Sequence, residues 1–236
     1  MTFFLDTCIL IHSTSPFDKH YYGKASRIVN AGTWLTSNLV CEELRGIKER
    51  RERIYKNVLS YDHQKQTGKT LQEFYNNCFK SSLGSNKNDE KHLKRLFESC
   101  MEAINLKYNH TLRKETLEDF LMELHPKIQD IKVRLGKIRN DLSSPEYYKN
   151  HVVAEYYKSS ACKPLKSDLY ALQDAAQHEQ DLLILIDAVA HSENENKKID
   201  YVTTDAIYDK YRPDLEKLIK KHHPTAQIVI KHLNET

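Results

Sequence analysis

Thr2-Phe3-Phe4-Leu5-Asp6-Thr7-Cys8-Ile9-Leu10-Ile11-His12 opens the chain with an apolar run halted by a carboxylate. Phe3, Phe4 and Leu5 follow one another without polar alternation, as in a strand covered on both faces of a parallel sheet. Asp6 stands at the carboxyl end of that strand, and the apolar residues from Cys8 onward open a turn or helix. The same grammar returns near the other end, where Tyr201-Val202-Thr203-Thr204-Asp205 is again a short strand running into an aspartate.

Between these two strands the pattern is readable in pieces. Tyr22, Ala25, Ile28 and Val29 fall at helical spacing, and Ala31-Gly32 closes that helix with glycine just past its end. Thr33-Trp34-Leu35-Thr36 is a second short strand. Ser37-Asn38 then offers a helix N-cap. The helix that follows carries Leu39, Val40, Glu43, Leu44 and Ile47 and runs on through the charged segment 48–58. From about residue 61 to 160 the pattern is almost wholly helical. Leu71, Phe74, Tyr75, Cys78 and Phe79 form one stripe, and Leu93, Leu96, Phe97, Cys100, Met101 and Ile104 another. Leu117, Phe120, Leu121 and Leu124 form a third, and Ile128, Ile131, Leu135 and Ile138 a fourth. Loops are expected near 81–89 and 142–146. A helix over 167–191, a strand over 201–204, a helix over 213–222 and a strand over 227–232 complete the reading.

Strands alternating with helices at both ends predict an α/β fold with a central parallel sheet. The helical middle, about residues 55–165, is expected as an insertion within a single domain covering 1–236.

Composition narrows the class further. The chain has 236 residues, enough for one sizeable core. Six glycines and six prolines are few for this length and favour long helices. The five cysteines, Cys8, Cys41, Cys78, Cys100 and Cys162, are odd in number and contain no CxxC pair. That argues against a disulfide framework or a zinc ribbon and fits a reducing, cytoplasmic setting. The opening residues lack the basic region of a signal peptide. No apolar stretch approaches 18 residues, so no membrane span is expected. Charge is unevenly placed. From Arg45 to Lys166 there are 25 Lys and Arg against 16 Asp and Glu, in a chain whose net charge is only +3. A basic middle beside acidic ends suits either a polyanion held near a cation-filled site or an ordinary lysine-rich surface.

The acidic residues carry the chemistry. Asp6 and Asp205 each follow a strand, and ligands of open α/β sheets bind at the carboxyl ends of strands. Glu43 lies near the start of the helix after the second strand. Asp181 stands where a polar stretch gives way to the apolar Leu182-Leu183-Ile184-Leu185-Ile186. Four carboxylates in one small pocket cannot all ionise without a compensating cation. A divalent metal supplies it, since hard cations take oxygen ligands. Such a centre activates water toward a phosphodiester, with one or two ions about 3.5–4 Å apart as standard arrangements.

These residues bring the chain to a family. Phe4 to Ile11 resembles the opening strand of PIN domains, an apolar run ending in Asp-Thr. Leu35 to Gly46 is similar to that family's second strand and following helix, in which the Glu before a Leu is the ligand. Asp181 to Ala188 resembles the helix that supplies the third acid, and Val202-Thr203-Thr204-Asp205 the strand that ends in the fourth. Each motif alone is weak. The four in this order, over about residues 1–50 and 175–236, are more specific. The resemblance implies a PIN-like three-layer α/β domain and a metal-dependent endoribonuclease. It implies Asp6, Glu43, Asp181 and Asp205 as the catalytic ligands of Mg²⁺ or Mn²⁺, with Thr7 and Thr203 as supporting hydroxyls. It also implies RNA, single-stranded or structured, as the partner, and admits a homodimer or a protein partner such as an antitoxin. The basic helical middle has no counterpart in small PIN domains. Two other readings stay open: a catalytically weak module that binds RNA or protein, and a nuclease acting on DNA.

Several residues compete for these roles. Glu42 and Glu43 are adjacent and diverge by about 100° on a helix, and the family register selects Glu43. Asp187 lies six residues past Asp181, either as an extra acid at the site or as a polar residue binding a neighbouring loop. His178, one turn before Asp181, could touch the site edge, though such histidines are more often surface groups. Asp209 is read as a charge at a helix N-terminus.

Overall fold

Both apolar runs that halt at an aspartate are strands. In the computed structural model, which describes residues 2–79, 87–173 and 175–236, the chain order is β1 (Thr2–Leu5), α1 (Thr7–His12), α2 (Tyr22–Asn30), β2 (Trp34–Ser37), α3 (Asn38–Leu59), α4 (Leu71–Phe74), α5 (Lys87–Ala103), α6 (Lys114–Ser143), α7 (Pro145–His151), β3 (Val152–Val153), α8 (Lys163–Tyr170), α9 (Glu179–Glu195), β4 (Ile199–Thr203), α10 (Ala206–His222) and β5 (Ile228–His232). It divides into two compact units, Met1–Arg45 with Lys137–Thr236, and Gly46–Gly136.

The first unit is α/β. Its five strands are all parallel, in the order β3-β2-β1-β4-β5. Phe4 pairs with Leu35 on one side and Tyr201 on the other, and Leu5 pairs with Val202. β1 is therefore central, and between β1 and β4 the connections leave in opposite directions. That junction is where an open α/β sheet forms a crevice at its carboxyl edge. Right-handed crossovers put helices on both faces. α8, α9 and α10 pack together, and α1 packs with α2. β4 is buried along its whole length, which explains its unbroken run of low-exposure residues. Leu182, Leu185, Ile186 and Val189 of α9 are fully buried, as are Phe4, Leu5 and Tyr201 in the sheet.

Three features of this unit differ from expectation. β3 is a fifth strand of only two residues, held by pairing Val152 and Val153 with Thr36 and Ser37. Two residues are too few to show a period. The helix expected to begin at Pro213 starts at Ala206 instead, because Asp205 caps it by accepting from the Ile207 amide at 3.2 Å. Pro213 lies inside it. The helix expected over 167–191 is interrupted, with α8 ending at Tyr170 and α9 beginning at Glu179. Gly32 has φ +71, the left-handed conformation expected of a residue closing a helix.

Among the described residues of the second unit, Gly46–Gly136, the regular elements are helices apart from one isolated bridge between Thr70 and Thr111. The sequence stripes converge on an aromatic centre. Phe74, Phe79, Phe97 and Phe120 are fully buried. The Phe97 ring lies 4.8 Å from that of Phe120 and 5.1 Å from that of Phe79. Thr70 and Glu73 form a capping box at the start of α4. In the charged run of α3, Lys48 pairs with Glu52 at 2.8 Å, while Arg50 and Arg51 both pair with the buried Asp89. Much of this basic run is thus committed within its own unit. The loop expected near 81–89 lies for residues 81–86 outside the described residues, and residues 87–89 begin α5. No helix among the described residues is long and apolar enough to cross a membrane.

Candidate metal centre

Backbone geometry places three of the acids. Asp6 extends β1, its amide donating to the Val202 carbonyl at 3.2 Å, and its Oδ1 caps α1 by accepting from the Thr7 amide at 2.6 Å. Asp205 lies two residues past β4 and caps α10. Asp181 is in the first turn of α9. All three stand at helix N-termini, where the positive end of the helix dipole favours negative charge.

Side chains then knit the strand ends together. The Thr203 hydroxyl donates to Asp6 Oδ2 at 2.7 Å and accepts from the Asp205 amide at 3.0 Å. The Thr7 hydroxyl donates to Glu43 Oε2 at 2.6 Å, which ties Glu43 to the residue beside Asp6. Glu42 turns away, is exposed, and accepts from Asn38 at 3.3 Å. Asp6, Glu43, Thr7 and Thr203 therefore form one connected group, and Asp205 joins it through Thr203. His178, read from the sequence as either at the site edge or at the surface, stands beside both Asp181 and Asp205. His178 Nδ1 lies 3.1 Å from Asp181 Oδ2 and 3.6 Å from Asp205 Oδ2.

Three further groups support the site without having been singled out by sequence. The Cys8 thiol is 3.3 Å from Asp6 Oδ2 and accepts from the Thr204 amide at 3.2 Å. Tyr208, fully enclosed, donates its hydroxyl to the Asp181 carbonyl at 2.6 Å and meets the Tyr201 hydroxyl at 2.9 Å. These tyrosines fix the first turn of α9 against β4 and α10. Their only sequence signal is that they flank the Thr203-Thr204-Asp205 stretch.

Asp187 is not part of the group. It is fully buried and accepts from the Ser37 hydroxyl at 2.6 Å and the Tyr157 amide at 2.8 Å. It ties the end of β2 to the turn at Tyr156–Lys158, which is the loop-binding role weighed for it. Asp209 stands in the first turn of α10, the helix N-terminal place expected of it, and pairs with Arg212 at 2.8 Å.

The electrostatics of the group are those of crowded, dehydrated carboxylates. Burial pushes Asp6 up to about 6, with Glu43's charge adding, despite the hydrogen bonds from Thr203, Cys8 and Thr7. Burial, then the charges of Asp6, Asp205 and Glu43, push Asp181 up to about 9. The same burial and Asp6's charge raise the Cys8 thiol well above its ordinary range, so it is an inert donor and not a nucleophile. No lysine or arginine among the described residues forms an ion pair with any of the four acids.

That donor set fits a hard divalent cation: oxygen ligands from separate elements, an excess of negative charge, and no lysine or arginine among the described residues paired with it. His178, Asp181 and Asp205 already bring one donor atom each within 4.8 Å of one another. A cavity of about 510 Å³ elsewhere in the unit, lined by Trp34, Lys149, Val152, Tyr156, His191 and Lys197 among others, contains no carboxylate and does not share this chemistry. Comparison with protein-family models, with characterised proteins and with solved structures gives no match, so the site stands on its own residues.

Proposed function

We propose that this chain is a metal-dependent endoribonuclease of PIN type, with Asp6, Glu43, Asp181 and Asp205 holding Mg²⁺ or Mn²⁺. The observation that carries the reading is the convergence of these acids at the carboxyl edge of β1 and β4 with no lysine or arginine among the described residues paired to them and two pKa values raised. A bound divalent ion there would supply activation of water and stabilisation of charge on a phosphodiester. The chain's own residues hold the carboxylates in place: Thr203 fixes Asp6 and the backbone of Asp205, Thr7 fixes Glu43, and Tyr208 fixes the turn that carries Asp181. No side chain is placed as a nucleophile, and the chemistry requires none. The basic excess of the middle of the sequence supports a polyanionic substrate. The five cysteines, all free, support a cytoplasmic setting.

Labelled single-stranded RNA and DNA, incubated with the protein and Mn²⁺ or Mg²⁺, test this. RNA is cut, and EDTA stops the cutting. Cleavage of DNA alone would move the substrate to DNA. No cleavage of either, with no Mn²⁺ binding by calorimetry, would favour a binding module.

Thr203→Val gives a finer test. The substitution keeps the volume but removes the hydroxyl that orients Asp6 and Asp205. Mn²⁺ affinity measured by calorimetry falls about tenfold, as for other partners that orient metal ligands. An unchanged affinity would mean that the hydroxyl has no orienting role.

A further inference from the structure

His178 is placed at the N-cap of α9 yet makes no side-chain capping bond. Ser, Thr, Asp or Asn at that place would add about 1 kcal/mol by accepting from the helix amides. The imidazole instead turns into the acidic group. Its Nδ1 faces the Oδ2 atoms of two carboxylates from two different elements, Asp181 of α9 and Asp205 beyond β4. One ring N–H satisfies one of these oxygens well and the other poorly, at 3.1 and 3.6 Å. A cation between the three atoms would serve all of them.

The spacing itself suits a coordination shell. Ligands about 2.1 Å from an ion lie about 3.0 Å apart when cis in an octahedron and about 3.4 Å apart in a tetrahedron. The shorter nitrogen–oxygen separation, 3.1 Å, lies within that range, and the longer, 3.6 Å, lies just above it. The helix also suits a rigid ligand pair. His178 and Asp181 are three residues apart at the start of α9, so both side chains project over one turn.

We propose that His178 Nδ1 is a ligand of the ion held by Asp181 and Asp205, and that this nitrogen gives the site a preference for Mn²⁺ and Co²⁺ over Mg²⁺. The inference rests on the metal-centre reading above and adds the class of metal. Mg²⁺ takes oxygen ligands and keeps its waters, whereas imidazole binds first-row transition ions with an affinity that rises from Mn²⁺ toward Co²⁺ and beyond. A centre of carboxylates alone would show a weaker tilt.

The test uses the full chain loaded with Mn²⁺, with pulsed electron paramagnetic resonance to detect a nitrogen nucleus bound directly to the metal. Calorimetry with Mg²⁺, Mn²⁺ and Co²⁺ runs beside it. His178→Gln keeps a hydrogen-bonding side chain but removes the imidazole, and its fold is checked by circular dichroism. The wild type shows the nitrogen coupling, and so does His12→Gln, which removes another imidazole of the same unit. His178→Gln loses the coupling. Its Co²⁺ affinity falls about 10–100-fold, while its Mg²⁺ affinity changes by less than about threefold because Mg²⁺ gains little from nitrogen. Mn²⁺ bound to the wild type without nitrogen coupling would overturn the inference and leave the acidic centre standing. Absence of Mn²⁺ binding to the wild type would overturn the metal-centre reading and the inference with it.

Discussion

Asp6→Asn lowers the rate of divalent-dependent RNA cleavage by about 10²–10³-fold, the range seen when one preorganised electrostatic contact to a reacting centre is removed. The protein stays folded. Asn keeps an Oδ1 that can still accept from the Thr7 amide and cap α1, as Asp6 does at 2.6 Å. Its Nδ2 can donate to the Thr203 oxygen, which already lies 2.7 Å from Asp6 Oδ2. What is lost is the negative charge, and burial already opposes that charge, holding Asp6 up to about 6. The variant thus separates function from stability: activity collapses, and the melting temperature in EDTA at pH 7.5 does not fall. Cleavage by Asp6→Asn at the wild-type rate, through repeated purification, would assign the cutting to something other than this centre.

Asp181→Asn carries the second large effect, on stability and in the opposite direction. The folded-state pKa of Asp181 is about 9, above its ordinary value of 3.8. Between those values the folded chain holds a proton that the unfolded chain has released, so stability falls as pH rises through that window. Asp6 adds to the fall between 3.8 and about 6. In EDTA the wild-type melting temperature therefore declines from pH 5 to pH 8.5. Asp181→Asn removes most of the decline and raises the melting temperature at pH 8.5 by roughly 5–10 °C, corresponding to a few kcal/mol in a chain of this size. Mn²⁺ stabilises the wild type more at pH 8.5 than at pH 5, because it competes with that proton. It stabilises Asp181→Asn far less. Differential scanning calorimetry across pH reads all of this, and a wild-type melting temperature that climbs with pH, with the same slope in Asp181→Asn, would contradict it.

The parts legible in sequence were those written in local chemistry. β1 and β4 could be read because each is an apolar run halted by a carboxylate, and Ser37 because a hydroxyl before a helix has one common use. The aromatic centre of the second unit follows from residues at helical spacing, since Phe74, Phe97 and Phe120 each lie on a stripe with other apolar groups. β3 was not legible. Val152-Val153 is a strand only because β2 lies beside it, and pairing is a tertiary fact. The early start of α10 was hidden by Pro213, which marks a first turn more often than it lies inside a helix. Asp205 as a cap outweighs that signal.

The site shows the same division. Asp6 and Asp205 are placed by strand ends, and Thr203 by its position between them. His178 reads as a surface group until the first turn of α9 is known to face the carboxyl edge of the sheet. Only then does its three-residue spacing from Asp181 become a pair of neighbouring donors. Tyr201 and Tyr208 read as ordinary core aromatics, and their hydroxyl chain to the Asp181 carbonyl depends on β4, α9 and α10 meeting. Asp187 had two readings at the level of sequence, and packing against Ser37 and Tyr157 decides for the structural one.

The most direct test of the metal centre is diffraction from crystals of the protein soaked in Mn²⁺, recorded at a wavelength where manganese scatters anomalously. An anomalous peak is expected among the carboxylates of Asp6, Glu43, Asp181 and Asp205, about 2.2 Å from the coordinating oxygens. Well-ordered crystals with no peak there at millimolar Mn²⁺, or with Asp181 and Asp205 turned away from each other, would contradict it.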